Sequence, residues 1–285
     1  MPYVAFIRII RPLNSLAVGV LVLASCLVAG AGGSASSSIL LAVLGSILIA
    51  AGGYVLNDVF DYETDKLVHR DRVLPQGRMS RSAARTYGLL LLIGAPFLFL
   101  LINPFSFLNA SLAALLLFLY SWKLKRMSGV IGNLTVALLA SNGALIGGFV
   151  VGNLVNTISL AICVFFATIA REIVKDIEDL PGDRTTRART LPMLIGRRAA
   201  SRVAALSLLL AALTAYLPYQ QAIFGQSYLL AATAVNGLVL WTAARLAWST
   251  GETAATAQRL IKAGMFSYIA IFLLAALFDV VQILS

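Results

Sequence analysis

Every lysine and arginine in this sequence falls in one of five short regions, and the stretches between those regions are apolar and mostly about twenty residues long. A helix of that length covers roughly 30 Å of hydrocarbon. Nine such runs can be counted, near Leu13 to Ala31, Ile39 to Leu56, Ala83 to Ile102, Leu108 to Trp122, Val130 to Val151, Ile158 to Val174, Ala199 to Leu217, Tyr228 to Trp248, and Met265 to Leu284. The fourth is the shortest and reads as a weakly tilted or partly re-entrant span. If Arg8 and Arg11 are cytoplasmic, so are the connections after the second, fourth, sixth and eighth runs. Those connections with their helix ends, 66–85, 123–126, 171–202 and 245–262, hold all 22 Lys and Arg residues once the two N-terminal arginines are added. The opposite connections, 32–38, 103–107, 152–157 and 218–227, carry no charge of either sign.

An error in the helix count would scramble this separation. The expected fold is an all-α integral membrane bundle of about nine transmembrane helices, in one domain over residues 1–285. Its N-terminus is expected to be cytoplasmic and its C-terminus on the opposite side of the cell membrane. No cleavable leader is expected, because the first apolar run follows Arg8 and Arg11 and continues as an ordinary span. A chain that is 60% hydrophobic and 12% charged is not a soluble globule. Its net charge of +10, which would suggest nucleic acid in a soluble protein, is accounted for by basic cytoplasmic connections. Cys26 and Cys163 lie in separate apolar runs without a His or Cys neighbour, so they read as packing residues and indicate neither a disulfide nor a zinc site.

Of the twelve acidic residues, all but Asp279 fall on the expected cytoplasmic side, and most gather in two clusters at ends of apolar runs. The first is Asn57-Asp58-Val59-Phe60-Asp61-Tyr62-Glu63-Thr64-Asp65. At helical pitch Asn57, Asp61 and Asp65 share a face, which serves packing poorly and suits a hard divalent cation well. The second is Asp176-Ile177-Glu178-Asp179-Leu180-Pro181-Gly182-Asp183, where Pro181 and Gly182 are expected to unwind part of the helix. Two facing sets of acids repel unless cations lie between them, and magnesium, which takes oxygen ligands and is commonly shared with phosphates, fits. Asp58 and Asp176 are additional candidate ligands. Lys66, Arg70, Arg72, Arg78, Arg171, Lys175, Arg184, Arg187 and Arg189 crowd the same connections. Acids, magnesium and guanidinium groups together are what a diphosphate requires, and a diphosphate at a lipid-facing site suggests a polyprenyl diphosphate.

Asn57-Asp58-x-x-Asp61-x-x-x-Asp65 resembles the N-D-x-x-D-x-x-x-D signature of the UbiA superfamily of intramembrane prenyltransferases, and Asp179-x-x-x-Asp183 resembles its second signature. Arg72-Val73-Leu74-Pro75-Gln76-Gly77 is similar to the family's R-P-L-P-x-G, with Val73 where the family has Pro and Asp71 where Asn is common. Tyr120-Ser121-Trp122-Lys123-Leu124-Lys125 and Gly132-Asn133 are similar to its Y-S-x-x-L-K and G-N elements. The stretch from Arg171 to Asp183 looks most like the archaeal branch that makes digeranylgeranylglyceryl phosphate.

The resemblance implies a magnesium-dependent transferase, with Asn57, Asp61 and Asp65 on one ion and Asp179 and Asp183 on a second. Arg72, Lys123 and Lys125 are expected to neutralise the diphosphate of geranylgeranyl diphosphate. The free hydroxyl of geranylgeranylglyceryl phosphate would attack the ionised allylic carbon, forming the second ether bond of archaeal membrane lipids. Tyr54, Phe60, Tyr62 and Tyr120 are available to shield the cation. Arg8, Arg11, Arg171 and Lys175 are open choices for the acceptor's phosphate, and Asn14 for an acceptor hydroxyl or a helix cap. No general base stands out; His69, the only histidine, sits in a charged connection. Two other readings remain open. One is aromatic prenylation of a 4-hydroxybenzoate-like ring in quinone biosynthesis. The other is a transporter or lipid-binding membrane protein, which would more typically place its ion site at the bilayer midplane.

Overall fold

Inside hydrocarbon a backbone must satisfy its own polar groups, which leaves an apolar chain of this kind little choice but helix. The structure, a computed structural model, describes residues 2–30, 36–186, 189–248 and 254–284, without the side chains of residues 2, 68, 181–186 and 277–284. The described residues form helices and their connections, with no strand. In chain order these are α1 (Pro2–Ile9), α2 (Pro12–Val28), α3 (Ser36–Phe60), α4 (Tyr62–Val68), α5 (Arg81–Leu100), α6 (Pro104–Met127), α7 (Gly129–Val151), α8 (Leu154–Thr186), α9 (Leu191–Ile195), α10 (Arg197–Gln220), α11 (Gln226–Trp248) and α12 (Ala254–Leu284). Among the described residues, eight helices are individually long and apolar enough to cross a membrane. A ninth crossing results if α1 and α2, bent by 50° relative to each other, form one broken span.

The local sequence explains where the helices break. Pro12 excludes α conformation at Arg11, which instead adopts φ 48 and ψ 69 and turns the chain between α1 and α2. Asn103 caps α6 by accepting the Ser106 N–H at 2.8 Å, with Pro104 in the first turn where its missing N–H costs nothing. The fourth apolar run, expected to be short or re-entrant, is a full span of 24 residues. It reaches that length because the helix continues past its apolar part through a π-helical turn at Tyr120–Leu124, carrying Lys123 and Lys125 on its end. The expected unwinding at Pro181 and Gly182 does not occur either, since α8 runs unbroken to Thr186. A proline so near a helix end removes one hydrogen bond and leaves the backbone path intact.

The helices close into a bundle. α8 packs on α7, α10 and α12; α2 packs on α3, α7 and α12; and α3 packs on α5. Two contacts depend on glycine. A Cβ on Gly147 of α7 would lie 2.1 Å from the Ser25 carbonyl carbon of α2, and a Cβ on Gly52 of α3 would lie 2.9 Å from the Leu92 amide nitrogen of α5. Ser25 adds polar bonds at the first crossing, donating to the Ala144 carbonyl and accepting the Gly147 N–H at 3.0 Å. Cys26 and Cys163 are buried and free. A third apolar cluster lies outside the two main cores. Val73 and Leu74, in the connection between α4 and α5, are buried with Ala5 and Ile9 of α1 and Val55 and Val59 of α3. That connection is thus pinned across the end of α3.

Candidate active site at one end of the bundle

The first acidic cluster straddles a break. α3 ends at Phe60, Asp61 takes φ −87 and ψ 4, and α4 begins at Tyr62. The four-residue register survives the break, because the Asp61 amide still donates to the Asn57 carbonyl at 2.9 Å and the Asp65 amide to the Asp61 carbonyl at 2.8 Å. The side chains nonetheless divide into two groups. Lys125 Nζ, from the end of α6, donates to Asn57 Oδ1 at 2.6 Å and to Asp61. Arg72 Nη1, from the pinned connection, contacts both oxygens of Asp65 at 2.7 and 2.6 Å and Asp58 Oδ1 at 3.4 Å. Arg11 Nη2 donates to the same Asp58 oxygen at 2.5 Å. Asn57, Asp61 and Asp65 were expected to act as one set, with Asp58 subsidiary. Among the described acids Asp58 and Asp65 are the most buried, at 4% and 2% exposure, and they share one arginine.

The second cluster lies on α8. Asp176, Asp179 and Asp183 occupy positions i, i+3 and i+7, one face of the helix by register. Asn133 of α7 donates to Asp176 Oδ2 at 2.7 Å, which gives the Gly132-Asn133 element a concrete task. Gly132 faces the end of α6, where a Cβ would make ordinary contact with Lys125 at 3.4 Å. Asp179 and Lys175 are exposed and make no side-chain bond among the described residues. The side chains of Asp183 and Arg184, and residue Arg187, lie outside the described set. Tyr120, in the π-helical turn, has its ring 5.9 Å from Lys125 Nζ, and charges of both clusters, Asp61 and Asp176 among them, act on it electrostatically.

Several expected residues stand elsewhere. Lys123 is exposed, 6.0 Å from the Trp122 ring, and makes no ion pair among the described residues. Asn14 and His69 are exposed without a side-chain partner among the described residues. Tyr62 serves surface cations, with Lys66 4.2 Å and Arg81 5.4 Å from its ring, while Phe60 packs on Phe118. Conversely, Glu172 gains importance. It is buried inside the α8 span and paired with Arg171. A carboxylate within an apolar run is a signal that sequence alone carries. Arg126, which donates to the Phe60 carbonyl and lies 3.8 Å from Asp61, was equally overlooked.

The donor chemistry fits magnesium. Both clusters offer carboxylate and amide oxygens, with no thiol or imidazole among them. Among the described residues no three His, Cys, Asp or Glu side chains converge as a closed cage. A closed cage is not what magnesium needs, because it usually keeps several waters and takes one or two carboxylates together with substrate phosphates.

Comparison with known proteins agrees with this geometry. A digeranylgeranylglyceryl phosphate synthase of Thermococcus kodakarensis is 40% identical over 278 residues, covering 97% of this chain and 99% of that protein. One of Methanoculleus marisnigri is 38% identical over 277 residues, covering 95% and 98%. A solved structure described as giving structural and mechanistic insights into digeranylgeranylglyceryl phosphate synthase in membranes superposes with a TM-score of 0.84 at 28% identity, covering 96% of this chain and 98% of that one. A UbiA homolog from Archaeoglobus fulgidus, bound to GPP and Mg2+, shares the fold at a TM-score of 0.61 and 15% identity, covering 94% and 99%. A family model described as the UbiA prenyltransferase family matches residues 18–278, and this multi-pass membrane chain belongs to that family.

Proposed function

We propose that the chain transfers a geranylgeranyl group from geranylgeranyl diphosphate to the free hydroxyl of geranylgeranylglyceryl phosphate. The observation that carries this reading is the interleaving of oxygens and cations at one end of the bundle, Lys125 on Asn57 and Asp61 and Arg72 on Asp58 and Asp65. The near full-length similarity to proteins named for that product supports it. Residues 1–285 act as one domain, with the site on the cytoplasmic side, the N-terminus cytoplasmic and the C-terminus opposite, as the distribution of the 22 basic residues supports.

Asn57, Asp61 and Asp65, with Asp58 beside them, would hold one magnesium ion, and Asp179 and Asp183, with Asp176, a second. Bound there, magnesium supplies electrostatic stabilisation of the charge that grows on the departing diphosphate. Arg72 and Lys125 turn their spare N–H donors to diphosphate oxygens, since a guanidinium and an ammonium each carry more donors than one carboxylate uses. As the bond between allylic carbon and diphosphate oxygen breaks, its electron pair leaves with the diphosphate. Tyr120, between the clusters, presents its ring to the electron-poor carbon. The acceptor hydroxyl donates a lone pair to that carbon, forming the ether, and its proton passes to the departing diphosphate. No side-chain base is required before the C–O bond has formed.

Purified protein incubated with labelled geranylgeranyl diphosphate and magnesium tests this directly. The label is expected in a lipid ether when geranylgeranylglyceryl phosphate is present. Label in an aromatic product with 4-hydroxybenzoate instead would favour a quinone-type transferase, and no product with either acceptor would sink the transferase reading.

A further inference from the structure

The last three spans, α10, α11 and α12, are joined near their middles by one short polar chain. Asn236 of α11 donates to the Ala212 carbonyl of α10 at 3.0 Å and accepts the Tyr268 hydroxyl of α12. Buried side-chain bonds between spans fix how far one helix slides along the next. Arg202 stands ten residues before Ala212, Arg245 nine after Asn236, and Arg259 nine before Tyr268. Consecutive spans run in opposite directions, so all three counts lead to the same end of the bundle, the one that carries the carboxylates. At about 1.5 Å per residue each count covers roughly 14–15 Å, which is about half the thickness of a hydrocarbon core. Three arginines on three neighbouring helices therefore share one depth, where hydrocarbon gives way to lipid head groups.

They also share one face. α10 turns Ala205, Leu208 and Ala212 to the core, while Arg202 continues an exposed stripe with Leu206. On α11 and α12 the same outward stripes carry Arg245 with Trp241 and Arg259 with Phe266. The Arg245 guanidinium carbon lies 5.0 Å from the Trp241 ring centroid, the pairing of cation and indole suited to an interface. None of the three arginines has a carboxylate partner among the described residues, and the one acid between positions 197 and 278 is Glu252. Charge separation across the membrane asks only that basic residues lie at this end. It does not ask that three of them stand on the lipid-facing stripes of the spans themselves, at one level and without an acid to meet them. Packed helices lie about 8–10 Å apart, so a phosphate seated between two of them is within reach of both guanidinium groups. We infer that Arg202, Arg245 and Arg259 form a head-group site on the outer face of the bundle for anionic phospholipids of the surrounding leaflet. Each guanidinium takes phosphate oxygens through its paired N–H donors, and Trp241 packs beside the glycerol region. The site is independent of the transfer reaction, and its readout is lipid binding.

The test titrates protein purified in a nonionic detergent with phosphatidylglycerol or phosphatidylcholine and counts bound lipid by native mass spectrometry. Wild type is expected to retain phosphatidylglycerol at lower added concentration than phosphatidylcholine. Arg202→Gln, Arg245→Gln and Arg259→Gln should each weaken phosphatidylglycerol binding about fivefold, and together on the order of 100-fold, leaving phosphatidylcholine unchanged. A control removes the same charge elsewhere at this end, with Arg70→Gln, Arg78→Gln and Arg81→Gln together, and should keep wild-type retention. Equal retention of the two lipids by wild type overturns the inference. So does a control that loses as much binding as the triple variant, since attraction would then follow net charge and not this row. Arg245→Gln alone carries the test if the triple variant does not fold, and an unchanged affinity in it counts against the site.

Discussion

Lys125 touches an amide and a carboxylate of the first cluster at once, which makes it the most informative single residue in the site. Replacing it with methionine keeps the stem and removes the charge. The expected loss is about 10²- to 10³-fold in kcat, the scale measured for removing one preorganised group that stabilises developing charge, read from single-turnover assays at saturating donor. Asp61→Ala should abolish magnesium-dependent transfer while the variant still elutes as folded protein in detergent; near-normal turnover would remove Asp61 from the metal site. At this scale the sequence was legible where the chemistry is local. The four-residue spacing of Asn57, Asp61 and Asp65 survives the helix break because both backbone bonds across it are kept. It was illegible where partners come from afar. Asp58 is a shared partner of Arg11 and Arg72, which approach from positions 47 and 14 residues distant, and no local pattern announces such a pairing. Lys123 and Lys125 are equivalent in sequence, two residues apart at one helix end, yet Lys125 bonds Asn57 and Asp61 while Lys123 lies near the Trp122 ring.

At the scale of elements, apolar run lengths gave the spans and erred at their ends. An apolar pattern stops where the side chains become polar, whereas a helix stops where its backbone does, so α6 and α8 both outlast the runs that reveal them. A close helix contact is equally hidden, because a glycine in an apolar run announces permission for a neighbour without naming it. Gly147 meets the backbone of α2 at Ser25. Gly147→Val is therefore expected to push α2 from α7, at a cost of about 1–3 kcal/mol or more from overpacking. A lowered melting temperature in detergent, with Gly147→Ala falling between the variant and wild type, checks this.

For the whole molecule, the separation of charge survives every revision of helix ends, because it depends on which connection a residue belongs to. Cysteine labelling tests the proposed orientation with little background, the two native thiols being buried. Ser82→Cys should react with an impermeant maleimide only from the cytoplasmic side and Gln221→Cys only from the opposite side; both sites are exposed, Ser82 in the first turn of α5 and Gln221 just after α10, at opposite ends of the spans by the proposed topology. Labelling of both from one side would refute the topology. The pairing of Asp58, Asp61 and Asp65 with Arg11, Lys125 and Arg72 has one further consequence. Carboxylates that already have internal counter-ions do not need magnesium to be tolerable inside a folded bundle, so assembly and metal loading are separate events. Chelation with EDTA should then silence transfer reversibly while moving the melting temperature by no more than about 4 °C, the shift that ~1 kcal/mol produces in a chain of this size. A cell short of magnesium would keep its full stock of this protein, idle and intact, and regain activity as soon as the ion returned, without new synthesis.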